Sequence, residues 1–369
     1  MPLVPRHIRD LPIYKPGRPI EDVRRELRLD RIIKLSSNEN PYGASPKALE
    51  AVQNTLSENF RYPDAAALKL REKLAERFDL KVKNVVVGAG SEGIISSIMR
   101  TFLQHGDEII AAENSFIGFR VLANATSIHT HWIPMENYHH DLSAMAEQIN
   151  DYTKIIYLAN PDNPTGTYFT IEEFDSFMKK VPQQVLVILD EAYFEYAQHL
   201  DNYPDSMHYR YDNVITLRTF SKAYGLAGFR VGYGFAHENL IENLNKVKLP
   251  FEPSWPAQMA AYAGLDDTLY IQKTVELCHR EMRRLMEVFR EMNLEIIPSA
   301  ANFLTLVFEG KQEAASFSRN MLHHGAILRN LSGWGLSNCV RITIGTEEEN
   351  QYLIKCLQKL FKTTTISNI

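Results

Sequence analysis

The 369-residue sequence has no excess of basic charge: 40 lysines and arginines stand against 45 aspartates and glutamates, for a formal net charge of −5. Neutralising a nucleic-acid backbone takes clustered cations, so nucleic acid is not the expected partner. Cysteine is scarce. Cys278, Cys339 and Cys356 are odd in number and lack metal-ligand spacing, so they read as free or buried thiols in a reducing cytosol. No stretch approaches the roughly 18 apolar residues that a membrane helix needs. The opening Met-Pro-Leu-Val-Pro-Arg-His lacks the unbroken apolar run of a secretory signal. Internal repeats and low-complexity tracts are missing, apart from a short tail at Lys362–Ile369. These absences leave a soluble, cytoplasmic globular protein as the expectation. Its length suits two domains, and 45% hydrophobic with 23% charged residues is an ordinary globular balance.

What is present is an alternating pattern. Residues 1–30 are rich in proline and charge; Pro12, Pro16 and Pro19 surround Tyr14-Lys15, and a stretch so punctuated predicts an extended arm. Ile32–Leu35 reads as a short strand before the polar turn Ser36–Gly43. Pro46 then opens a helix to about Leu56, and Ala66–Phe78 is a second. Apolar strand candidates follow at Val85–Val87, Glu108–Ala112, His129–Ile133, Lys154–Leu158, Val185–Leu189, Val214–Leu217 and Arg230–Phe235. Short unalternating apolar runs separated by helices are what a parallel sheet covered on both faces requires. A long helix over Leu269–Met292 leads into a second α/β pattern: strands at Phe303–Phe308 and Val340–Ile344, helices at Glu313–His323 and Glu347–Phe361. The division expected is an arm at 1–30, a large domain at 31–265 and a small one at 266–369.

Four motifs carry chemistry. Gly88-Ala-Gly-Ser-Glu-Gly93 joins a strand to a helix; it is either an anion cradle built on a helix N-terminus or a tight structural turn. Asn160-Pro-Asp-Asn-Pro-Thr-Gly166 forces an irregular loop at a strand's carboxyl end, where open α/β sheets bind ligands. Asp190 closes the apolar run Val185–Leu189, and burying an acid there is costly without a cationic partner: a charged aromatic nitrogen, an arginine or a metal. No His or Asp cluster at ligand spacing supports the metal. Tyr193 follows three residues on. Lys222 ends the run from Val214, with Ser221 beside it and Arg230 beyond. One ligand bearing a phosphate, a basic ring nitrogen, a ring hydroxyl and an aldehyde would use all four. Pyridoxal 5′-phosphate is such a ligand.

The chain also resembles the class I/II, fold-type-I aminotransferases, most closely their histidinol-phosphate branch. The matching segments are Leu35–Gly43, Arg61-Tyr-Pro-Asp64, Asn160–Gly166, Asp190-Glu-Ala-Tyr193, Ser221–Tyr233 and Val340–Thr346, in the family's order. The resemblance implies a fold with a mostly parallel sheet flanked by helices and a smaller C-terminal α/β domain. It implies Lys222 as the Schiff-base lysine and proton shuttle, and Asp190 as partner of the pyridine nitrogen. Asn163 and Tyr193 would bond the ring oxygen. The amides of Gly90, Ser91 and Glu92, with Ser221 and Arg230, would cup the phosphate, and Phe116 would stack on the ring where relatives usually carry tyrosine. Tyr62 would reach the site of a second subunit, implying a homodimer. On the substrate side it implies Arg341 for a carboxylate or phosphate, Arg329 and Tyr14 for the phosphate of histidinol phosphate, and Asn38 lining the pocket. The arginine context departs from the family, with Leu328-Arg329-Asn330 where Val-Arg-Pro is frequent. The reaction implied exchanges histidinol phosphate and 2-oxoglutarate with imidazole-acetol phosphate and glutamate. An aromatic amino-acid transaminase is the alternative, and a non-catalytic transaminase-like ligand-binding or regulatory module the remote one.

Overall fold

The computed structural model describes residues 3–11, 13, 17–206 and 211–366, the last five of these as backbone only. The expected extended arm contains helices at Arg6–Arg9 and Ile20–Leu27. The second starts directly after Pro19, with Glu21 and Asp22 in its first turn, so the prolines confine helix to either side of them. Ile33–Lys34 (β1) is followed by the helix Pro46–Thr55, whose first turn is capped by Ser45 Oγ accepting from the Ala48 N–H at 3.2 Å.

The main sheet has seven strands: Val85–Gly88 (β2), Glu108–Ala112 (β3), His129–Ile133 (β4), Thr153–Ala159 (β5), Leu186–Asp190 (β6), Val214–Thr219 (β7) and Gly232–Phe235 (β8). They lie in the order β2-β8-β7-β6-β5-β3-β4. One strand departs from the expected parallel set, because β8 runs antiparallel to both β2 and β7. The segment from Arg230 therefore enters its strand from the edge at which the other six leave theirs. Register aligns that edge: Ala159 pairs with Asp190, Asp190 with Leu217, and Gly232 with both Gly88 and Thr219. Ile95, Ile109, Tyr157 and Ile188 pack one face of the sheet under helices, while Ile110, Ile156, Leu189 and Phe174 pack the other. Burial on both faces explains the unalternating apolar runs.

The helix Thr268–Glu291 leads to Glu295–Ile297 (β9), Phe303–Val307 (β10), Ala326–Ile327 (β11), Arg329–Asn330 (β12) and Cys339–Thr343 (β13). Four of these form an antiparallel sheet, β12-β13-β10-β9, and β11 pairs in parallel with β1. Leu35 continues that pairing, donating to Ile327 O and accepting from the Thr343 N–H, both at 2.9 Å. The polar turn after β1 is thereby held between the two sheets. The three cysteines are buried and form no disulfide. Among the described residues no helix is long and apolar enough to cross a membrane.

Candidate active site

At the aligned strand edge lies a cleft of about 740 Å³, counting the space that is open to solvent. The helix that follows β2 begins at Gly90, so Gly90–Gly93 form its first turn rather than a turn before it. The amides of Gly90, Ser91 and Glu92 consequently lack intrahelical acceptors. Gly90 has φ +75°, and a Cβ there would stand 2.7 Å from Arg230 Nη2. A Cβ on Gly232 would stand 2.6 Å from the Ser91 nitrogen. Both glycines are thus what lets strand, helix terminus and guanidinium close into a cup. Arg230 reaches Glu92 Oε2 at 3.2 Å and donates to Ser221 Oγ at 3.4 Å; Ser221 N–H donates to Thr219 Oγ1 at 3.1 Å. The Arg230–Glu92 pair is half-exposed and contributes little, so an anion can replace the carboxylate on Arg230 at small cost.

Across the cleft, Asp190 ends β6. Tyr157, in the middle of β5, donates its hydroxyl to Asp190 Oδ2 at 2.9 Å, while Oδ1 is buried without a hydrogen-bond partner. Desolvation raises the carboxyl from 3.8 to about 7, against the hydrogen bonds from Tyr157 and the Ala192 amide that favour its ionised form. Such an acid is poised for a cation. Lys222 is half-buried, and desolvation first, then the positive charge of Arg341, lowers its amine from 10.5 to about 8. Its Nζ lies 5.7 Å from the Tyr193 ring centroid.

Tyr193 accepts a hydrogen bond from Asn38 Nδ2 at 2.8 Å, which leaves its own O–H free to donate. Burial pushes that phenol up to about 12, so it stays protonated. Asn38 adopts φ 55° and is gripped on three sides. Its N–H donates to Thr343 Oγ1 at 2.9 Å, its Oδ1 accepts from the same hydroxyl at 3.1 Å, and its carbonyl accepts from Asn302 at 3.2 Å. Arg341, on β13, donates to Asn163 Oδ1 and to Ser36 O, the latter at 3.1 Å. The bond to Oδ1 orients the Asn163 amide with its NH₂ available as a donor. Arg329 on β12 is the direct register partner of Arg341, so the two side chains leave the same face. Their guanidinium carbons lie 4.8 and 5.7 Å from the ring centroid of Trp334.

The cleft thus gathers Ser91, Glu92, Phe116, Asn163, Asp190, Tyr193, Ser221, Lys222 and Arg230 from the sequence-selected residues. Tyr62 is not among them. It is 80% exposed, stacked on Phe251 with centroids 4.3 Å apart, in a separate depression with Arg61 and Trp255. Tyr14 lies outside the described residues. Sequence reasoning missed Tyr157, Thr219 and Trp334. Tyr157 carried a signal, since a hydroxyl inside an otherwise apolar buried strand must find a partner.

Comparison with known proteins agrees with this geometry. Residues 30–357 match the family model for aminotransferases of class I and II. The chain is 43% identical over 357 residues to histidinol-phosphate aminotransferase 2 of Hydrogenovibrio crunogenus, covering 96% of this chain and 95% of the relative. It is 42% identical over 349 residues to the histidinol-phosphate aminotransferase of Halalkalibacterium halodurans, covering 94% of each. Among solved structures, histidinol-phosphate aminotransferase from Sinorhizobium meliloti in complex with pyridoxal-5′-phosphate superposes with a TM-score of 0.90 at 26% identity, covering 99% of each chain. A Thermus thermophilus aspartate aminotransferase mutant shares the fold, with a TM-score of 0.83 at 19% identity over 98% of this chain and 99% of that one.

Proposed function

The chain belongs to the class I and II aminotransferases, and from that premise we propose how its own residues carry the reaction. The activity is pyridoxal-phosphate-dependent transamination of L-histidinol phosphate with 2-oxoglutarate, giving imidazole-acetol phosphate and L-glutamate, a step of histidine biosynthesis. The pocket suits the cofactor on its own evidence: Asp190 Oδ1 is a buried acceptor with nothing to accept, and the Gly90–Glu92 amides with Arg230 and Ser221 form an anion cup. Bound there, pyridoxal phosphate supplies an electrophilic carbonyl and a ring that withdraws electrons from the reacting carbon.

Each residue then has a task. Asp190 would accept a hydrogen bond from the ring nitrogen and, as a carboxylate, favour its protonated form; Tyr157 holds the other carboxylate oxygen in place. Asn163 and Tyr193 would donate to the ring oxygen, and Phe116 would cover the ring face. Lys222 would anchor the cofactor through its amine. Its amine, lowered to about 8, then has enough neutral form near pH 7 to take the proton from the amine-bearing substrate carbon and return it.

The observation that carries the substrate assignment is the opposed pair Arg329 and Arg341. Each guanidinium presents a planar fork that suits a carboxylate or a phosphate, so two on one face match a substrate pair bearing both kinds of anion. Arg341 binds the carboxylate of glutamate or 2-oxoglutarate, and Arg329, with Tyr14, the phosphate of histidinol phosphate; Asn38 borders the same space. Phenylalanine or tyrosine has no second anion for Arg329. We assign the chain to a cytoplasmic homodimer in which exposed Tyr62 completes the neighbour's phosphate cup. Phe60 and Leu56, exposed near it in sequence, supply apolar contact area. We divide the chain into an arm (1–30), a cofactor-binding domain (31–265) and a small domain (266–369), with Ile33–Leu35 clasping the last.

Steady-state kinetics on histidinol phosphate, phenylalanine and tyrosine with 2-oxoglutarate test this reading. Histidinol phosphate should give the highest kcat/KM, and Lys222→Ala should abolish turnover together with the pH-sensitive visible absorbance. A higher kcat/KM on either aromatic amino acid refutes the substrate assignment.

A further inference from the structure

At the amino end of the main sheet, remote from the cleft, three potential metal ligands meet. His129 and His131 are two residues apart on β4 and leave the same face of the strand. This strand is the sheet's edge, paired with β3 alone, and register sets Glu108 directly beside His129. His131 Nε2 lies 2.7 Å from Glu108 Oε2, and the two histidine rings meet edge to face with centroids 4.5 Å apart. One ligand atom from each side chain lies within 4.8 Å of the others, the one such group of three among the described residues.

We propose that Glu108, His129 and His131 bind a divalent transition-metal cation of the zinc class, clamping the edge strand to its neighbour. Two imidazoles and one carboxylate are a donor set that zinc accepts, with water in the fourth position; magnesium and calcium would demand oxygen ligands instead. With metal–ligand bonds of about 2.0–2.2 Å, the ligand atoms of a tetrahedral site stand about 3.3 Å apart. Side-chain rotation achieves that spacing here, since His129 is exposed and both strands stay paired. Glu108 is already positioned: Asn150 Nδ2 donates to its Oε2 at 2.7 Å, from the turn that leads into β5. On binding, the metal takes the place of any proton on the ligating nitrogens, and that proton passes to solvent. Glu108 and His131 alone would make only a hydrogen-bonded clamp; His129 supplies the third ligand.

The sequence reading expected no metal, finding no His or Asp cluster at ligand spacing; His129 and His131 stand two residues apart, but Glu108 is distant from them along the chain. Strand pairing creates the set. The test uses the cofactor-loaded enzyme freed of metal by chelator dialysis. Zinc is titrated by calorimetry, and cobalt(II) serves as a visible-absorbance probe of coordination. We expect one ion per chain, intense tetrahedral cobalt bands and a raised Tm with zinc. Asn150→Ala, which removes the residue behind the carboxylate, should weaken zinc by about 10–100-fold. His129→Ala and His131→Ala should abolish the cobalt bands while transamination stays unchanged. His131→Gln keeps a hydrogen-bond donor toward Glu108 without the imidazole, and it too should lose the zinc-dependent rise in Tm. Wild-type enzyme without cobalt bands, or undiminished zinc binding in the His129→Ala/His131→Ala double variant, overturns the proposal.

Discussion

Replacing Asp190 by asparagine should push stability and activity in opposite directions. In the cofactor-free chain the Asp190 carboxyl is buried, held by Tyr157 at one oxygen and by nothing at the other. Its rise from 3.8 to about 7 corresponds to about 4 kcal/mol of penalty on the ionised form. The folded value lies above the unfolded one, so the penalty is absent below about pH 3.8, grows as pH rises to about 7, and is constant above. Asparagine matches the shape, keeps an acceptor for Tyr157 and carries no charge. Less about 1–2 kcal/mol for an amide that is itself imperfectly hydrogen-bonded, the cofactor-free variant should exceed the parent by about 2–3 kcal/mol near pH 8. That gain should vanish toward pH 4. In the loaded enzyme the same change would remove the anion proposed to face the ring nitrogen, and turnover should fall by about 10²–10³-fold. Urea unfolding of both cofactor-free proteins across this pH span, beside kcat of both loaded enzymes, reads the two effects. A variant less stable than the parent near pH 8, or a difference that does not change with pH, refutes the argument that Asp190 waits unpaired for a cation.

Arg329→Ala should weaken histidinol phosphate far more than glutamate, since an unpaired phosphate charge costs on the order of several kcal/mol; equal rises in both KM values would exclude the phosphate role. Tyr157→Phe removes the hydroxyl that favours ionised Asp190, at a cost of about 1–2 kcal/mol. The acidic limb of the pH–rate profile should therefore move to higher pH, and an unmoved limb would show that the hydrogen bond does not tune the acid. Mixing Tyr62→Ala with Lys222→Ala under conditions of subunit exchange should restore part of the activity through hybrid dimers. No recovery would count against shared sites.

Much of this architecture is local and therefore written in the chain. Apolar runs such as Leu186–Leu189 specify doubly covered strands, because a strand buried on both faces tolerates no alternation. Asp190 and Lys222 stand where such runs end, and the order of motifs along the chain is enough to imply one ligand touching all of them. Ser45 and Pro46 likewise start their helix with atoms two or three residues away.

Other features depend on which distant segments become neighbours. The direction of β8 is one, and it brings Arg230 to Gly90 and Ser221 from the opposite chain direction. The junction of Arg341 with Asn163 spans 178 residues, and that of Tyr157 with Asp190 joins adjacent strands through register. Glu108 meets His131 in the same way. Propensity and periodicity act over a few residues and select helix, strand or turn. Strand order and register arise from the packing of the whole sheet, and they alone decided which side chains share a pocket, which acid kept an unbonded oxygen, and where two arginines came to face each other.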